Sequence, residues 1–189
     1  MITQVIIKVI YFIPAIFEKI KTFVLRKRLR LNNTIELRQK VFIYGYDKLV
    51  IGDYVYLGAG LSIHAQGGVT IGRGTIFGPN VTIYSANHRF READAIPFDE
   101  GVINKEVKIG ENCWIGGNVI IVPGTEIGEG CIVGAGAVVS GVIEKYSIVV
   151  GNPCKVVGYR DEDDYLRLKG ENKIFLKIRK DEINVQTKQ

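Results

Sequence analysis

The amino-acid sequence predicts a mainly β protein built as a solenoid of short, stacked strands. The first observation behind this prediction is a six-residue period that starts at Ile51 and runs to Glu144, with two extra residues at Val69 and Thr70 and one longer break after His88. The second is composition: 22 of the 189 residues are glycine and one is methionine, which is typical of folds with many tight corners. The third is that a single irregular segment, residues 89–106, interrupts the period.

Twelve six-residue units make up the repeat, and each begins with an aliphatic residue or Phe. The units are IGDYVY, LGAGLS, IHAQGG, IGRGTI, FGPNVT, IYSANH, IGENCW, IGGNVI, IVPGTE, IGEGCI, VGAGAV and VSGVIE. Glycine holds the second position in eight units, where it permits corner conformations that a side chain would forbid. Three units therefore close one triangular coil. Roughly five coils stack at ~4.8 Å and bury the first-position side chains as ladders.

Residues 1–40 precede the repeat as an apolar and basic arm. The arm has nine Lys or Arg residues and two Glu, so it supplies the net charge of +5 that the whole chain carries. Apolar residues recur at helical spacing: Ile6, Ile10, Ile13, Phe17, Ile20 and Val24. Pro14 is expected to kink this helix, and a basic RKRLR cluster follows at 26–30. Two interpretations stay open: residues 1–30 contact an anionic membrane surface, or the helix caps the first coil. Nucleic acid is not expected as a partner.

The cysteines and the hydropathy indicate a cytoplasmic protein without a metal site. Cys113 and Cys131 are 18 residues apart, one coil above the other, and within disulfide reach. Both hold the small fifth position of their unit, so we expect buried, unpaired thiols. Neither has partners at metal-ligand spacing. The longest apolar run, Val9 to Phe17, has nine residues, whereas a bilayer span needs roughly 20. A peripheral position on the inner membrane face stays open.

The two non-repetitive segments after Ile51 have different predicted roles. Residues 89–106 carry charges and Pro97, and a loop this long in a compact domain is usually functional. From Asp161 the chain is polar, which predicts a short helix capped near Asp161 that packs on the solenoid end and covers open strand edges. The predicted organisation is therefore an arm over 1–40, a β-helix over 41–160 and an extension over 161–189.

Two histidines, His64 and His88, are the candidate acid–base residues. His88 lies in YSANHRF, where the repeat ends and the loop begins, so its side chain can point into a cleft. An imidazole is the natural general base near neutral pH, although a lone loop histidine is more often merely exposed. Asp94 or Glu92 is our hypothesis for the group that orients it. Two histidines are too few for a three-histidine zinc site of the kind found in solenoid carbonic anhydrases.

The segment IFGPNVTIYSANH, then a loop, then IGENCWIGGNVIIVPGTEIGEGCIVGAGAVVSGVI resembles the hexapeptide-repeat acyltransferases. The resemblance covers about residues 41–160 and is strongest to galactoside and maltose O-acetyltransferases and to enzymes that acetylate polysaccharide precursors. It implies a left-handed parallel β-helix, a homotrimer, acetyl-coenzyme A as donor and no required metal. The family's catalytic histidine falls at His88.

In the family, the donor lies in a groove between neighbouring subunits. The resemblance assigns donor contacts to Trp114, Gly117, Ala135, Ser140 and Lys155. Gly117 corresponds to the thioester-binding position, which often acts through its backbone N–H. Lys155 matches a residue that meets the phosphates. A second phosphate-binding arginine would fall at Gly158, and Arg160 is a candidate to replace it.

The acceptor half departs from the galactoside enzymes. Their acceptor-binding Asn and Asp positions fall at Gly58 and Gln66, and His64 and Asn87 complete the candidate acceptor residues. We therefore expect a different acceptor, such as a lipid-linked saccharide or another precursor of O-antigen, capsule or exopolysaccharide. Three alternatives stay open: N-acetylation of an amino sugar, acetylation of a xenobiotic, and a non-enzymatic solenoid scaffold.

Overall fold

The structure, a computed structural model, describes residues 16–17 and 19–186, so the predicted kink at Pro14 lies outside the described residues. Its helices flank a parallel β-helix. Helix α1 covers residues 19–28, with 16–17 also helical, α2 is Glu162–Gly170 and α3 is Phe175–Gln186. None of the described helices combines the length and apolarity needed to cross a bilayer.

Nineteen strands within the described residues form the three faces of the β-helix and one hairpin. Face A contains β1 (Glu36–Leu37), β4 (Tyr56–Leu57), β7 (Ile76–Phe77), β12 (Trp114–Ile115), β15 (Ile132–Val133), β18 (Ser147–Val150) and β19 (Lys155–Tyr159). Face B contains β2 (Phe42–Tyr44), β5 (Ser62–His64), β8 (Thr82–Tyr84), β13 (Ile120–Ile121) and β16 (Val138–Val139). Face C contains β3 (Leu49–Ile51), β6 (Val69–Ile71), β11 (Val107–Ile109), β14 (Glu126–Ile127) and β17 (Val142–Ile143). The hairpin joins β9 (Ala86–His88) to β10 (Val102–Asn104).

This topology confirms the predicted mainly β solenoid. Apart from the hairpin strands β9 and β10 and from β19, consecutive strands occupy successive faces. Strands stacked on one face pair in parallel, except that β19 is antiparallel to β18. Five coils are complete, and β18 begins a sixth. Between β8 and β11 the chain leaves the third coil, at the point where the six-residue period ends. We call this segment, which contains β9 and β10, the excursion.

Two interior ladders hold the coils together. First-position side chains are buried in every unit except Ile51, as in the aligned set Phe77, Ile115, Val133 and Val149 on face A. Fifth-position residues fill the remaining interior, and burial of each large apolar side chain contributes about 1.5–3 kcal/mol. The six-residue period therefore reports directly on the core.

The thiols of Cys113 and Cys131 are buried and unpaired, as predicted. Each Sγ donates to a backbone carbonyl, that of Gly128 at 3.1 Å and that of Glu144 at 3.0 Å. Burial raises the pKa of the Cys113 thiol to about 12. These residues are therefore small core groups rather than reactive thiols.

The β-helix begins earlier than the sequence indicates. Strand β1 starts at Glu36 and pairs with β4, so the first coil lies partly within the predicted arm of residues 1–40. This coil escaped notice because it lacks glycine at the second position of its units. Leu25 and Leu31 pack against the core at this end, and the Arg26 guanidinium donates to the Ile35 carbonyl at 3.1 Å.

The C-terminal extension begins as predicted but lies elsewhere. The Asp161 carboxylate accepts a hydrogen bond from the Asp164 N–H at 2.8 Å and caps α2. The prediction that the extension covers the solenoid end is wrong. Its two helices run along the side of the β-helix, and the Arg179 guanidinium reaches the Glu36 carboxylate of the first coil. Strand β19 folds back on β18 instead, which leaves the helices to cover the flank of face A.

Candidate active site

His88 is the last residue of β9 and pairs with Val102 across the hairpin. Its ring stacks on Phe98 with centroids 4.0 Å apart and planes inclined by 16°. Among the described residues, neither ring nitrogen has a hydrogen-bond partner. The imidazole is therefore positioned by stacking, and both nitrogens are available to a ligand.

Charged residues fold the loop that carries Phe98. The Arg89 Nε donates to Asp99 Oδ2 at 2.8 Å, and the same carboxylate accepts the N–H groups of Asp94 at 3.0 Å and Gly101 at 2.8 Å. The hydrogen bond from Arg89 holds the pKa of Asp99 well below its usual range. Because the Asp94 carboxylate pairs with Arg89 at 3.1 Å, our hypothesis that Asp94 orients His88 is wrong. Glu92 likewise makes no hydrogen bond to His88 among the described residues.

A cleft of about 480 Å³ opens beside His88 at the corner between faces B and C. Its lining consists of Gln66, Tyr84, Ala86, Asn87, His88, Val102, Ile120, Val122 and Pro123. The structure thus brings together three of the residues singled out from the sequence: Gln66, Asn87 and His88. Apolar walls with a few polar groups are typical of small-molecule sites.

His64 supports the cleft wall rather than lining it. It lies one coil before Tyr84 on face B and stacks on that ring at 4.9 Å, with planes inclined by 25°. Its Nε2 is 3.2 Å from the Ser62 hydroxyl oxygen. Among the described residues, Tyr84 is the one through which His64 contacts the cleft.

Gly117 and Ala135 lie at another corner, between faces A and B. The Gly117 carbonyl accepts the Gly136 N–H at 2.9 Å, whereas the Gly117 N–H has no acceptor among the described residues. A Cβ on the neighbouring Gly116 would lie 2.6 Å from the Ala135 nitrogen, so this corner needs glycine for close backbone approach. The corner therefore presents an unpaired backbone N–H to its surroundings.

Gly58 lies on the same A–B corner, two coils nearer the N-terminus. It is buried, and a Cβ there would lie 2.3 Å from the Gly78 carbonyl oxygen. Its glycine is thus required by coil stacking. The structure does not bring Gly58 to the cleft that holds His88.

His88 and Gly117 do not meet within one chain. They lie at opposite edges of face B, which β13 crosses from its A–B corner to its B–C corner. Five extended residues separate such corners by roughly 16 Å. Any site that uses both groups on one reacting centre must therefore combine two chains.

The remaining predicted donor residues are spread over the molecule. Lys155 and Arg160 lie at opposite ends of β19, and the Arg160 Nε donates to the Gly130 carbonyl at 2.6 Å. Trp114 is exposed on face A and lines a second cleft of about 520 Å³ together with Arg160 and the C-terminal helices. Ser140 is exposed at the B–C corner of the fifth coil. The structure therefore does not place Arg160 beside Lys155.

Sequence reasoning missed Phe98, Tyr84 and the Arg89–Asp99 pair. Tyr84 could have been found, because it is the outward residue that precedes the loop on face B. Phe98 lies in a segment without periodicity, so no sequence signal connects it with His88.

Comparisons with known proteins agree with this architecture. The family described as "Bacterial transferase hexapeptide (six repeats)" matches residues 106–141, and "Hexapeptide repeat of succinyl-transferase" matches residues 48–85. The Escherichia coli K12 protein WbbJ, named for O-acetyl transfer in lipopolysaccharide biosynthesis, is 37% identical over 122 residues, which are 61% of this chain and 59% of WbbJ. The chain spans about three-fifths of the length of WbbJ and of two other curated relatives, and 37% or less of the length of several more.

Two solved structures extend the comparison. The maltose O-acetyltransferase of Clostridium difficile 630 superposes with a TM-score of 0.65 at 33% identity, covering 71% of this chain and 73% of that one. A galactoside acetyltransferase in complex with coenzyme A has a TM-score of 0.63 at 28% identity, covering 70% and 65%. Sequence repeat, coil topology and these matches agree, and the chain belongs to the hexapeptide-repeat acetyltransferase family.

Proposed function

We propose that the protein transfers an acetyl group from acetyl-coenzyme A to a sugar hydroxyl. The observation that carries this proposal is His88: its imidazole stands at the rim of the cleft, with two unpaired nitrogens and with Gln66 and Asn87 beside it. A relative of this fold was solved with coenzyme A, and the matched names include acetyltransferases that act on maltose and galactosides. These findings support the reaction class.

In the proposed reaction, His88 removes the proton of the acceptor hydroxyl as its oxygen attacks the thioester carbonyl carbon. The tetrahedral oxyanion accepts a hydrogen bond from the Gly117 N–H. When the intermediate collapses, the carbon–sulfur bond breaks, and the proton on the imidazolium passes to the leaving thiolate. His88 returns to its neutral form, and no cysteine or serine nucleophile is needed.

The active unit is proposed to be a homotrimer. Because His88 and Gly117 lie at opposite edges of face B, one chain cannot supply both groups to a single thioester. Face B exposes large apolar side chains, including Phe42, Tyr44 and Ile120, which suit a subunit interface. Contact through this face would set His88 of one chain beside Gly117 of the partner subunit.

The donor is proposed to lie along the A–B corner. Gly117 and Ala135 follow each other up this corner, and the turn before Lys155 continues the same column. The Lys155 ammonium then meets the phosphates at the end of the β-helix, while Trp114 and Ser140 are further proposed contacts. Arg160 is the weaker candidate because its guanidinium already binds the Gly130 carbonyl.

The acceptor is proposed to be a hydroxyl of a surface-polysaccharide precursor, met on the cytoplasmic side. Two observations favour it over a simple galactoside. Gly58 and Gln66 replace the acceptor-binding positions expected from the resemblance, and the name of WbbJ refers to lipopolysaccharide biosynthesis. The proposed acceptor therefore carries a sugar hydroxyl, like the substrates of the galactoside enzymes, but is bound through different residues.

The reaction is tested by following thiol release from acetyl-coenzyme A with a panel of mono- and oligosaccharide acceptors. Product mass should rise by one acetyl group on oxygen, and transfer to simple galactosides should be poor. Acceptor-independent release alone, or efficient galactoside acetylation, would contradict the proposed substrate class.

The shared site is tested by mixing two variants that are expected to be inactive. His88→Ala lacks the base, and Gly117→Val keeps the backbone N–H but sets a branched side chain where the thioester would lie. Random exchange of subunits should restore activity, since some interfaces then join an intact His88 to an intact Gly117. Each variant alone should remain inactive. Mixtures that stay inactive although subunit exchange is verified would contradict a site built from His88 of one chain and Gly117 of its neighbour.

A further inference from the structure

Helix α1 presents apolar side chains that nothing in the described structure covers. Its exposed large residues are Ile16, Phe17, Ile20, Phe23 and Val24, of which Phe17 is 68% and Phe23 is 62% exposed. Only the residues after them, such as Leu25 and Leu31, pack against the core. The cap interpretation of the arm therefore holds for residues 25–31 and fails for the preceding turns of α1.

The same helix is strongly basic. Residues 19–35 contain no Asp or Glu, and they include Lys19, Lys21, Lys27 and Arg30, all exposed and without an acidic partner among the described residues. Two further arginines have structural roles, since Arg26 binds backbone carbonyls and Arg28 stacks on Tyr46 at 4.0 Å. Four cations thus border an apolar surface that lacks a partner.

We propose that α1 docks the protein on an anionic lipid bilayer. The aromatic and aliphatic side chains enter the boundary between headgroups and acyl chains, while the lysines meet lipid phosphates, as is typical of interfacial helices. A second copy of the chain fits this surface less well, because two such helices would bring their positive charges together. An acidic protein would meet the charges but not the large exposed rings.

This docking also orients the active site that we propose above. Residues 25–31 fix α1 to the first coil, whereas His88 leaves the third coil. Two coil spacings amount to ~10 Å, so the acceptor cleft lies close to the headgroups. Lys155 lies at the sixth coil, ~24 Å from the first, so the donor end faces the aqueous phase. Membrane binding itself does not depend on the proposed reaction.

The experiment is flotation of the full chain with phosphatidylcholine vesicles that do or do not contain phosphatidylglycerol. The protein should float with the anionic vesicles and lose binding as salt is raised. The triple variant Lys19→Gln, Lys21→Gln, Lys27→Gln should bind about a hundredfold more weakly, since each charge near the surface contributes roughly fivefold. The matched control Lys145→Gln, Arg167→Gln, Lys173→Gln also removes three exposed charges, all outside α1, and should bind like wild type.

The apolar contribution has its own pair of variants. Ile20→Ser, Phe23→Ser, Val24→Ser should abolish flotation, whereas Val50→Ser, Val142→Ser removes comparably exposed apolar groups from face C and should not. Equal binding of both variants would overturn the proposal. Equal flotation of the wild-type chain with neutral and anionic vesicles would also overturn it. So would a loss of trimer formation in the α1 variant when the wild-type chain itself binds no vesicles.

The orientation is tested by fluorescence. Trp114 is the only tryptophan, and it lies on the fourth coil, so its emission should not change when anionic vesicles are added. In the variant Phe23→Trp, Trp114→Phe, the emission should shift to shorter wavelength on vesicle addition. A shift of Trp114 in the wild-type chain, or none from Phe23→Trp, would contradict docking through α1.

Discussion

The coils of the β-helix and the excursion between β8 and β11 are held together by different interactions. Each coil adds side chains to continuous buried ladders, such as Phe77, Ile115 and Val133. The excursion is exposed and depends on the Arg89–Asp99 pair and on the stacking of Phe98 against His88. We therefore expect changes in the coils to alter the free energy of unfolding, and changes in the excursion to alter chemistry.

His88→Ala is expected to have the largest effect among the variants that test this difference between the coils and the excursion. General-base catalysis typically contributes 10²–10⁴-fold, so kcat should fall at least about a hundredfold. The melting temperature, the affinity for acetyl-coenzyme A and the assembly of the proposed trimer should remain near wild type, because His88 is exposed and outside both ladders. Steady-state kinetics, calorimetry and sedimentation measure the three quantities.

The control for that test is His64→Ala, which removes the ring that stacks on Tyr84. It should change the acceptor KM more than kcat. A near-normal kcat for His88→Ala would disprove the proposed mechanism, and a cooperative loss of folding would show that the excursion supports the coils after all.

Ile121→Ala tests the opposite region. This side chain is fully buried in face B, and large-to-small changes of this kind cost about 2–5 kcal/mol. Denaturant unfolding should reveal the loss, with kcat unchanged at temperatures where the protein stays folded. Val142→Ala, on an exposed position of face C, should change stability by less than about 0.5 kcal/mol. Similar costs for both variants would argue against the ladders as the main source of stability.

Lys155→Ala tests the proposed phosphate contact at the C-terminal end of the β-helix. A charge-assisted phosphate contact contributes about 1–3 kcal/mol, so acetyl-coenzyme A should bind about 5- to 150-fold more weakly. The 3′-dephosphorylated analogue should be less affected. Arg160→Ala is the matched variant, and it should alter stability through its bond to Gly130 more than donor affinity. A stronger donor effect in Arg160→Ala would reverse this assignment.

Asp99 gives the smallest and most local effect. Because the pKa of this carboxyl is lowered in the folded protein, its contribution is present above the unfolded value, about 3.9, and is lost as the pH falls below it. The protection factors of the amides in the excursion, which correct for the intrinsic pH dependence of exchange, should therefore fall below about pH 4 while those of the coils stay high. In Asp99→Asn the excursion should exchange faster at neutral pH and lose this pH dependence. Coils that open together with the excursion would remove the distinction between the two regions.

The same distinction explains how much could be predicted from the sequence. Each coil repeats the same corners, so the residues of the interior ladders recur every six positions. The solenoid fold, its core residues and the buried thiols of Cys113 and Cys131 therefore follow from the six-residue spacing. The first coil is not apparent in the sequence because Arg38 and Tyr44, rather than glycine, hold the second position of its units, although Gly45 forms one of its corners. The cap at Asp161 was local and predictable, but the path of α2 and α3 along the flank depends on distant contacts such as Arg179 with Glu36.

The candidate site was predictable only in part. The position of His88 at the end of the repeat placed it at a corner, and Gln66 and Asn87 joined it there. Its stacking partner Phe98 and the separation from Gly117 could not be read from spacing, since both depend on how a non-periodic loop and a whole face are arranged. Arg160 illustrates the same limit: it lies two positions after the expected Gly158, but its guanidinium binds the Gly130 carbonyl, at the opposite end of β19 from Lys155.

The blunted ends of the β-helix have a consequence for association. A stack of parallel coils ends in rows of backbone N–H and C=O groups, onto which the coil of another molecule could add. At one end β19 pairs with β18 in the antiparallel sense. In the turn between them the Gly151 carbonyl accepts the Val138 N–H at 3.1 Å, and the Cys154 N–H donates to the Val138 carbonyl at 3.0 Å. At the other end, residues 25–31 cover the first coil. Growth into end-to-end fibres is thereby disfavoured, and assembly is directed to the sides of the molecule.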